Sequence, residues 1–177
     1  MKQIQNLIEN LELCIPGCDS APMYTPLPTT LEPGTVLDWL YKNLGEQDLM
    51  VYEEWTEYSG YTPELKPLKN ITLPIDITDF IFNCVENIDW SESNIEPWEL
   101  PYFIPWLEHI NYYLKPHGVR LVNILPFENA YIICLRDDDT LIQKLHLSLE
   151  DLGMGINKRE PLDQQQVLLE LHSIISG

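Results

Sequence analysis

The chain is short of basic residues, and this shortage limits the partners that it can bind. It has 10 lysine and arginine residues against 28 aspartate and glutamate residues, which gives a formal net charge of −18 at pH 7. A surface this negative repels the phosphates of nucleic acids and anionic lipids, whereas it attracts basic proteins. We therefore expect a basic protein as the partner, and neither a nucleic acid nor a membrane.

The sequence also lacks long apolar runs. Glu9 and Glu12 interrupt the N-terminal segment, which is therefore expected to be neither a secretion signal nor a membrane span. No other stretch free of proline and charge is long enough to cross a membrane. Because no export signal is found, we expect a cytoplasmic protein whose four cysteines are reduced thiols: Cys14, Cys18, Cys84 and Cys134.

Motifs that would identify an enzyme are missing as well. The sequence has no Walker loop, no G-x-S-x-G elbow and no C-x-x-C pair. Cys14 and Cys18 have a spacing that could supply half of a zinc site, but no second close pair of cysteines or histidines completes it. The sequence therefore predicts no catalytic residue, no metal and no cofactor.

Polar residues elsewhere leave two alternative functions open. Asp137–Asp139 follow an apolar strand and could hold a divalent cation, although they also precede an amphipathic helix, where acidic residues cap free amides. An enzyme of unknown class would use these residues, Glu53 or His117 in an acidic pocket and could depend on a metal. The other alternative is an adaptor subunit that binds through an apolar patch.

The segment 98–135 is the longest apolar-rich stretch and indicates the fold class. Helical spacing after Pro105 predicts a helix that Pro116 and Gly118 end, and the runs 119–125 and 130–135 predict a β-hairpin. A chain of 177 residues, 45% of them hydrophobic, has room for one domain with a buried core. We predict a single α+β domain with a small, mainly antiparallel sheet and helices packed on one face.

The remaining segments surround this centre. Residues 1–34 are predicted to form an N-terminal helix and a proline-rich segment, which is either a linker or an ordered strap, and residues 35–177 the α+β domain. A strand is predicted within 48–55 and another within 154–160. Further helices are predicted to begin after Thr35, after Asp76 or Thr78, after Asp137–Asp139, and after Asp163.

Charge and aromatic residues are concentrated in the middle of the chain. Residues 38–99 carry 14 acidic residues and 3 lysines, together with several tyrosines and tryptophans. Carboxylates can pair with lysine and arginine while aromatic side chains provide buried anchors, although the aromatic residues could instead lie in the core. We predict a partner-binding surface formed by the carboxylates Glu53, Glu54, Glu57, Asp89, Glu92 and Glu96 and the anchors Trp55, Tyr58 and Tyr61.

In size, acidity and lack of catalytic motifs the chain resembles small acidic bacterial immunity proteins. Such proteins bind and block a basic toxin, often a nuclease. The resemblance covers no aligned residues, so it implies no particular site. It makes an immunity- or inhibitor-type protein the leading hypothesis, in which an acidic surface covers the basic cleft of a partner and mimics phosphate. Association with that partner should then slow steeply with salt.

Overall fold

The computed structural model describes residues 1–176, so Gly177, the last residue of the predicted domain, lies outside the described residues. None of the helices in this range combines the length and the apolar character that crossing a membrane requires. The helices are α1 (Lys2–Cys14), α2 (Pro33–Gly45), α3 (Asp79–Glu86), α4 (Leu100–Phe103), α5 (Trp106–Leu114), α6 (Asp139–Glu150) and α7 (Gln164–Ser176). The strands are β1 (Met50–Tyr52), β2 (Val119–Leu125), β3 (Tyr131–Arg136) and β4 (Gly155–Asn157).

Within the described residues these strands form one antiparallel sheet in the order β1-β3-β2-β4. The predicted hairpin is confirmed, since β2 pairs with β3 from Val119 opposite Arg136 to Asn123 opposite Ile132. Its connection reverses direction through Glu128 and Asn129, which have φ of 50° and 58°. Asparagine tolerates this left-handed region better than most residues. The apolar runs and the turn residues therefore placed the hairpin correctly.

Helix α5 begins after Pro105 and ends before Pro116, as predicted. Gly118, which follows a short 3-10 turn, has a φ of 71°, a left-handed conformation that glycine adopts without steric cost. Asn111 fixes the helix against β2, because its side chain accepts from the backbone N–H of Leu121 at 2.7 Å and donates to the carbonyl of the same residue at 2.8 Å. This buried asparagine occupies both backbone groups of one strand residue.

Helices cover both faces of the sheet. We name the two faces for the residues that pack on them: the aliphatic face, covered by α1, α2 and α6, and the aromatic face, covered by α3, α5 and α7. Val122 and Ile133 belong to the aliphatic face, whereas Leu121 and Ile132 belong to the aromatic face. The α+β class and the single domain with an antiparallel sheet are confirmed, but the helices are not confined to one face. A second covered face explains why β2 is apolar almost throughout.

The N-terminal segment packs into the aliphatic face. The apolar stripe of α1 is fully buried there, and α1 lies against α6. Met23, in the proline-rich segment, is also fully buried, and the indole Nε1 of Trp39 donates to the carbonyl of Pro26 at 3.0 Å. Residues 14–34 therefore lie across the body of the protein as an ordered strap. Helix α2 begins at Pro33, earlier than predicted, because proline suits the first position of a helix.

Two of the predicted helix starts are held by side chains. Asp138 accepts from the backbone N–H of Leu141 at 3.0 Å, so it caps α6. Asp163 and Gln166 exchange two hydrogen bonds of 2.8 Å between side chain and backbone, which forms a capping box at α7. Thr78 precedes α3, but its hydroxyl donates to the carbonyl of Gly60 instead of capping the helix.

Candidate partner-binding surface

Strand β1 lies at one edge of the sheet. In the described part of the chain its single neighbouring strand is β3, and the backbone N–H of Glu53 continues this pairing by donating to the carbonyl of Ala130 at 2.8 Å. Alternate residues of an antiparallel strand direct their backbone groups to opposite sides. Since Val51 and Glu53 are directed toward β3, Met50 and Tyr52 direct theirs to the open side. Met50 is only 3% exposed, and the backbone N–H of Lys66 donates to the carbonyl of Asp48 at 2.8 Å, so the accessible part of this edge is at Tyr52, which is 47% exposed.

A groove of about 940 Å³ lies against this open edge, and we call it the edge groove. Its lining contains four carboxylates and one lysine, and three of its tyrosines are 43–48% exposed. The lining residues are Tyr41, Lys42, Gly45, Glu46, Asp48, Met50, Val51, Tyr52, Glu53, Tyr61, Thr62 and Glu64. The groove therefore combines negative charge, aromatic surface and unpaired strand backbone in one place.

Two tyrosines hold neighbouring carboxylates in position. The hydroxyl of Tyr61 donates to the carboxylate of Glu53, and that of Tyr52 donates to Glu54 at 2.8 Å. Desolvation and the bond to Glu53 raise the pKa of Tyr61 to about 12. The bond to Glu54 likewise raises the pKa of Tyr52. Both phenols therefore keep their protons at neutral pH, and they hold Glu53 in the lining of the groove and Glu54 beside it.

The predicted aromatic anchors are divided by burial. Tyr61 is exposed in the edge groove, but Trp55 is only 1% exposed and Tyr58 only 4%. The prediction that these two residues are surface anchors is therefore wrong. They stack on each other with ring centroids 5.0 Å apart, and Tyr58 meets the ring of Trp106 edge-on at 6.5 Å. The turn-rich segment folds back onto α5 and places both rings in the aromatic face.

A buried ion pair between Arg159 and Glu108 lies against the ring of Trp55. The guanidinium of Arg159 lies 4.8 Å from the centre of the Trp55 ring, donates to Glu108 at 2.9 Å and donates to Asn123 at 2.6 Å. Several polar atoms in this region are buried without a hydrogen-bond partner: the indole Nε1 of Trp55 and of Trp106, Oε2 of Glu108, and Nη2 of Arg159. Sequence reasoning missed this network, because its members come from four separate segments.

A second cavity, of about 360 Å³, lies beside the edge groove, and we call it the aromatic cavity. Tyr52 lines both. In the β1–β3 register Tyr52 lies opposite Tyr131, whose ring meets those of Tyr52 and Phe127 edge-to-face at 5.2 and 6.1 Å. The lining residues are Tyr52, Glu54, Trp55, Tyr102, Pro126, Phe127, Glu128, Ala130 and Tyr131. These residues come from three separate segments, namely β1 with the residues after it, α4, and the hairpin, so the sequence alone did not indicate the cavity.

The other predicted carboxylates lie elsewhere. Asp89 and Glu92 line a groove of about 600 Å³ between α3 and α7, which shares none of its described lining residues with the edge groove. Hydrogen bonds from Ser91 lower the pKa of Asp89. Glu96 forms a capping box with Glu99. Glu57 is exposed but lines neither the edge groove nor the aromatic cavity. Of the predicted carboxylates, only Glu53 and Glu54 thus lie beside β1.

The residues of the alternative enzyme have structural contacts. Asp137 pairs with the buried guanidinium of Arg120 at 2.6 Å, and Asp138 caps α6. His117 lies exposed in the turn before β2. His109 is buried, and its Nδ1 lies 3.0 Å from the carbonyl of Leu162. The contacts of Asp137, Asp138 and His109 are therefore structural ones.

The cysteines are free thiols in the described part of the chain. Burial raises the pKa of Cys14 and of Cys18 to about 11, so both are protonated at neutral pH, and the Sγ of Cys14 donates to the carbonyl of Leu141 at 3.2 Å. Metal binding requires thiolates. Residues 1–176 contain no group of three or more histidine, cysteine, aspartate or glutamate residues placed to hold a metal ion.

Comparison with known proteins adds no relative. No protein-family model matches the chain, and no match was found among curated proteins or among solved structures. The edge groove and the aromatic cavity are therefore the features that indicate a function.

Proposed function

We propose that the protein is an acidic protein-binding module of immunity or inhibitor type, which acts in a bacterial cytoplasm and neutralises a basic partner such as a toxin nuclease. The observation that carries this proposal is the edge groove, where four carboxylates and three exposed tyrosines line an open strand edge. The four free cysteines agree with a reducing compartment.

The open edge supplies a mode of binding. An extended segment of the partner adds to the exposed end of β1 as a further strand, and its backbone pairs with the outward groups of Tyr52. Side chains alternate along such a segment, so every second residue faces the groove. Lysine and arginine at these positions meet Glu46, Glu53 and Glu64. The carboxylates thereby take the place that phosphates would occupy on the partner.

The overall charge should speed association with a basic partner. A net charge of −18 steers a basic partner toward the protein before contact is made. Steering charges are screened over about 10 Å at 0.1 M salt, so the association rate constant should fall steeply as salt is added. A tight complex whose association rate constant does not change with salt concentration would instead indicate binding through an apolar surface.

The test is capture of the partner from a lysate of the native host, with three immobilised proteins compared at low and moderate salt. These are the wild type, the double variant E53Q/E54Q, and the double variant E9Q/E12Q on the exposed side of α1. Both variants remove two negative charges, but only the first changes the rim of the groove and the cavity.

We expect the wild type and E9Q/E12Q to retain the same basic protein, and E53Q/E54Q to bind it roughly tenfold more weakly, because the interface loses two carboxylates. Equal binding by the two variants would show that only the total charge matters. A retained partner that is acidic or neutral would contradict the proposal.

A further inference from the structure

The aromatic cavity has the composition of a site for an organic cation. Five aromatic residues and two carboxylates line it, and its lining includes no lysine or arginine. We propose that the aromatic cavity binds the guanidinium group of one arginine side chain. The inference deepens the proposed function and rests on it in one respect, namely that the arginine belongs to the basic partner.

The walls favour a cation over a neutral apolar group. The face of an aromatic ring is the negative end of its quadrupole and attracts a positive group within about 6 Å of the ring centre. Tyr52, Tyr102, Phe127 and Tyr131 provide accessible aromatic surface, since none of them is buried. Glu54 and Glu128 are both exposed and place negative charge at the same cavity. An apolar occupant would make no use of this negative charge, whereas a cation would be attracted by it.

The combination of rings and carboxylates favours guanidinium over ammonium. Guanidinium is planar and weakly hydrated, so it stacks on aromatic rings, and its five N–H groups can donate in pairs to a carboxylate. The ammonium of lysine is a compact and strongly hydrated charge with no flat surface. A cavity of about 360 Å³ holds one such planar group together with part of its aliphatic stem.

The cavity is already shaped before any ligand binds. Glu54 accepts from the hydroxyl of Tyr52 at 2.8 Å and from that of Thr56 at 3.2 Å, so its carboxylate is held in place. The ring of Tyr131 is fixed by edge-to-face contacts with Tyr41, Tyr52 and Phe127. Preorganised walls lower the entropic cost of binding.

The position of the cavity fits the proposed strand addition. Tyr52 lines both the edge groove and the cavity, so a segment that follows β1 can continue past this ring. One arginine of that segment then enters the cavity, while other basic side chains lie in the edge groove. This arginine would be the residue of the partner whose loss weakens the complex most.

The experiment is an NMR titration of the full chain with three small probes, which does not require the partner. The probes are the N-acetyl amides of arginine, of lysine and of citrulline, the last of which has nearly the shape of arginine without its charge. We expect saturable shifts at Tyr52, Tyr102 and residues 127–131 with the arginine probe. The lysine probe should bind roughly threefold or more weakly because it cannot stack, and citrulline should not saturate.

Two variants and one control test the position. Y102A removes one exposed ring of the cavity, and E128Q removes one exposed carboxylate without changing a ring. Each should weaken the arginine probe roughly threefold or more, which corresponds to the loss of one cation–π or ionic contact. Y24A also removes an exposed tyrosine, which is not part of the cavity lining, and should leave the affinity unchanged.

The inference is overturned if citrulline binds as tightly as arginine, if the shifts lie outside the cavity, or if E128Q and Y102A both bind like Y24A. These outcomes differ from failure of the proposed function. If the arginine probe binds in the cavity but E53Q/E54Q captures the partner like the wild type, the cavity stands and the proposed function fails. If binding of the partner depends on Glu53 and Glu54 but the arginine probe does not bind, the proposed function stands and the inference about the cavity fails.

Discussion

The two faces of the sheet are built differently. The aliphatic face is covered by three long helices and consists mainly of leucine, isoleucine and valine. The aromatic face contains Trp55, Tyr58 and Trp106, and beside them lies a buried ion pair between Arg159 and Glu108. Much of the chain that covers the aromatic face, between β1 and α5, consists of turns and short helices.

The two faces therefore differ in what their packing requires. The aliphatic face needs only apolar side chains of the right size, so regular helices can form it. On the aromatic face, buried polar groups require particular partners, and irregular backbone places them. The same irregular segment leaves β1 at an open edge and supplies Tyr61 and Glu64 to the edge groove.

The ion pair of the aromatic face should show the strongest response to substitution. R159M leaves the Glu108 carboxylate with 16% of its side chain exposed and no cation beside it. Loss of one partner of a buried pair costs about 3–5 kcal/mol of the free energy of unfolding. E108L/R159M, which replaces both partners by apolar residues, should recover much of this loss. Urea-induced unfolding measures both variants, and a double variant that is no more stable than R159M would contradict the pairing.

The aliphatic face should respond only to lost volume. L145A removes a fully buried side chain from α6 and should lower the free energy of unfolding by about 3 kcal/mol. L147A, two residues further along the same helix, removes an exposed side chain and should change it by less than about 0.5 kcal/mol. The same urea experiment compares them. Equal losses would contradict the assignment of these residues to the inside and outside of α6.

The cap of α6 should have a smaller effect. D138A removes the side-chain oxygen that accepts from the backbone N–H of Leu141 and should cost about 1 kcal/mol. D138N keeps a capping oxygen and loses the charge, so its stability should be close to that of the wild type at high salt. Thermal unfolding at two salt concentrations separates the hydrogen bond from the charge. A variant D138N as unstable as D138A would mean that the charge, not the cap, stabilises the helix.

Near neutral pH the buried thiols and phenols should have almost no effect on stability. Burial raises the pKa of Cys14 and Cys18 to about 11 on the aliphatic face and that of Cys134 to about 12. A group with a raised pKa contributes stability that is complete below its unfolded pKa and is lost as pH rises through the folded value. The contribution of these thiols to the free energy of unfolding should therefore be lost only above about pH 9.

Substitution of one buried thiol tests its part in this alkaline decline. C134A should flatten part of the alkaline decline between about pH 9 and 12, as measured by urea unfolding at each pH, because it removes one thiol that resists ionisation. C84A is the matched control, since its thiol is only half-buried. An alkaline profile unchanged by C134A would show that this thiol does not contribute to the decline.

Much of the fold could be predicted because the signals were local. Pro105, Pro116 and Gly118 marked the ends of α5, and the apolar runs on either side of 126–129 defined the hairpin. The number of covered faces could not be predicted with the same certainty, since a strand buried on both faces and one buried on a single face both contain apolar runs. The signal that favoured two faces was that β2 carries apolar residues on both sides, Val119 and Leu121 on one and Val122 and Ile124 on the other.

The candidate surface was predicted only in part. The concentration of acidic and aromatic residues led to Glu53, Glu54 and Tyr61, which lie at the edge groove and the aromatic cavity. The same reasoning failed for Trp55 and Tyr58, because composition does not show which aromatic side chains fold inward. Tyr102 and Tyr131 were missed for another reason, since they reach the cavity only through the pairing of distant segments.

The proposed function requires that a basic partner binds along the open edge of β1. Hydrogen exchange of the protein, alone and saturated with the captured partner, measures this directly. We expect slower exchange at the backbone N–H of Tyr52 and through residues 46–64, with α1 unchanged. Unchanged exchange at β1, together with protection of α1 or of the groove between α3 and α7, would contradict it.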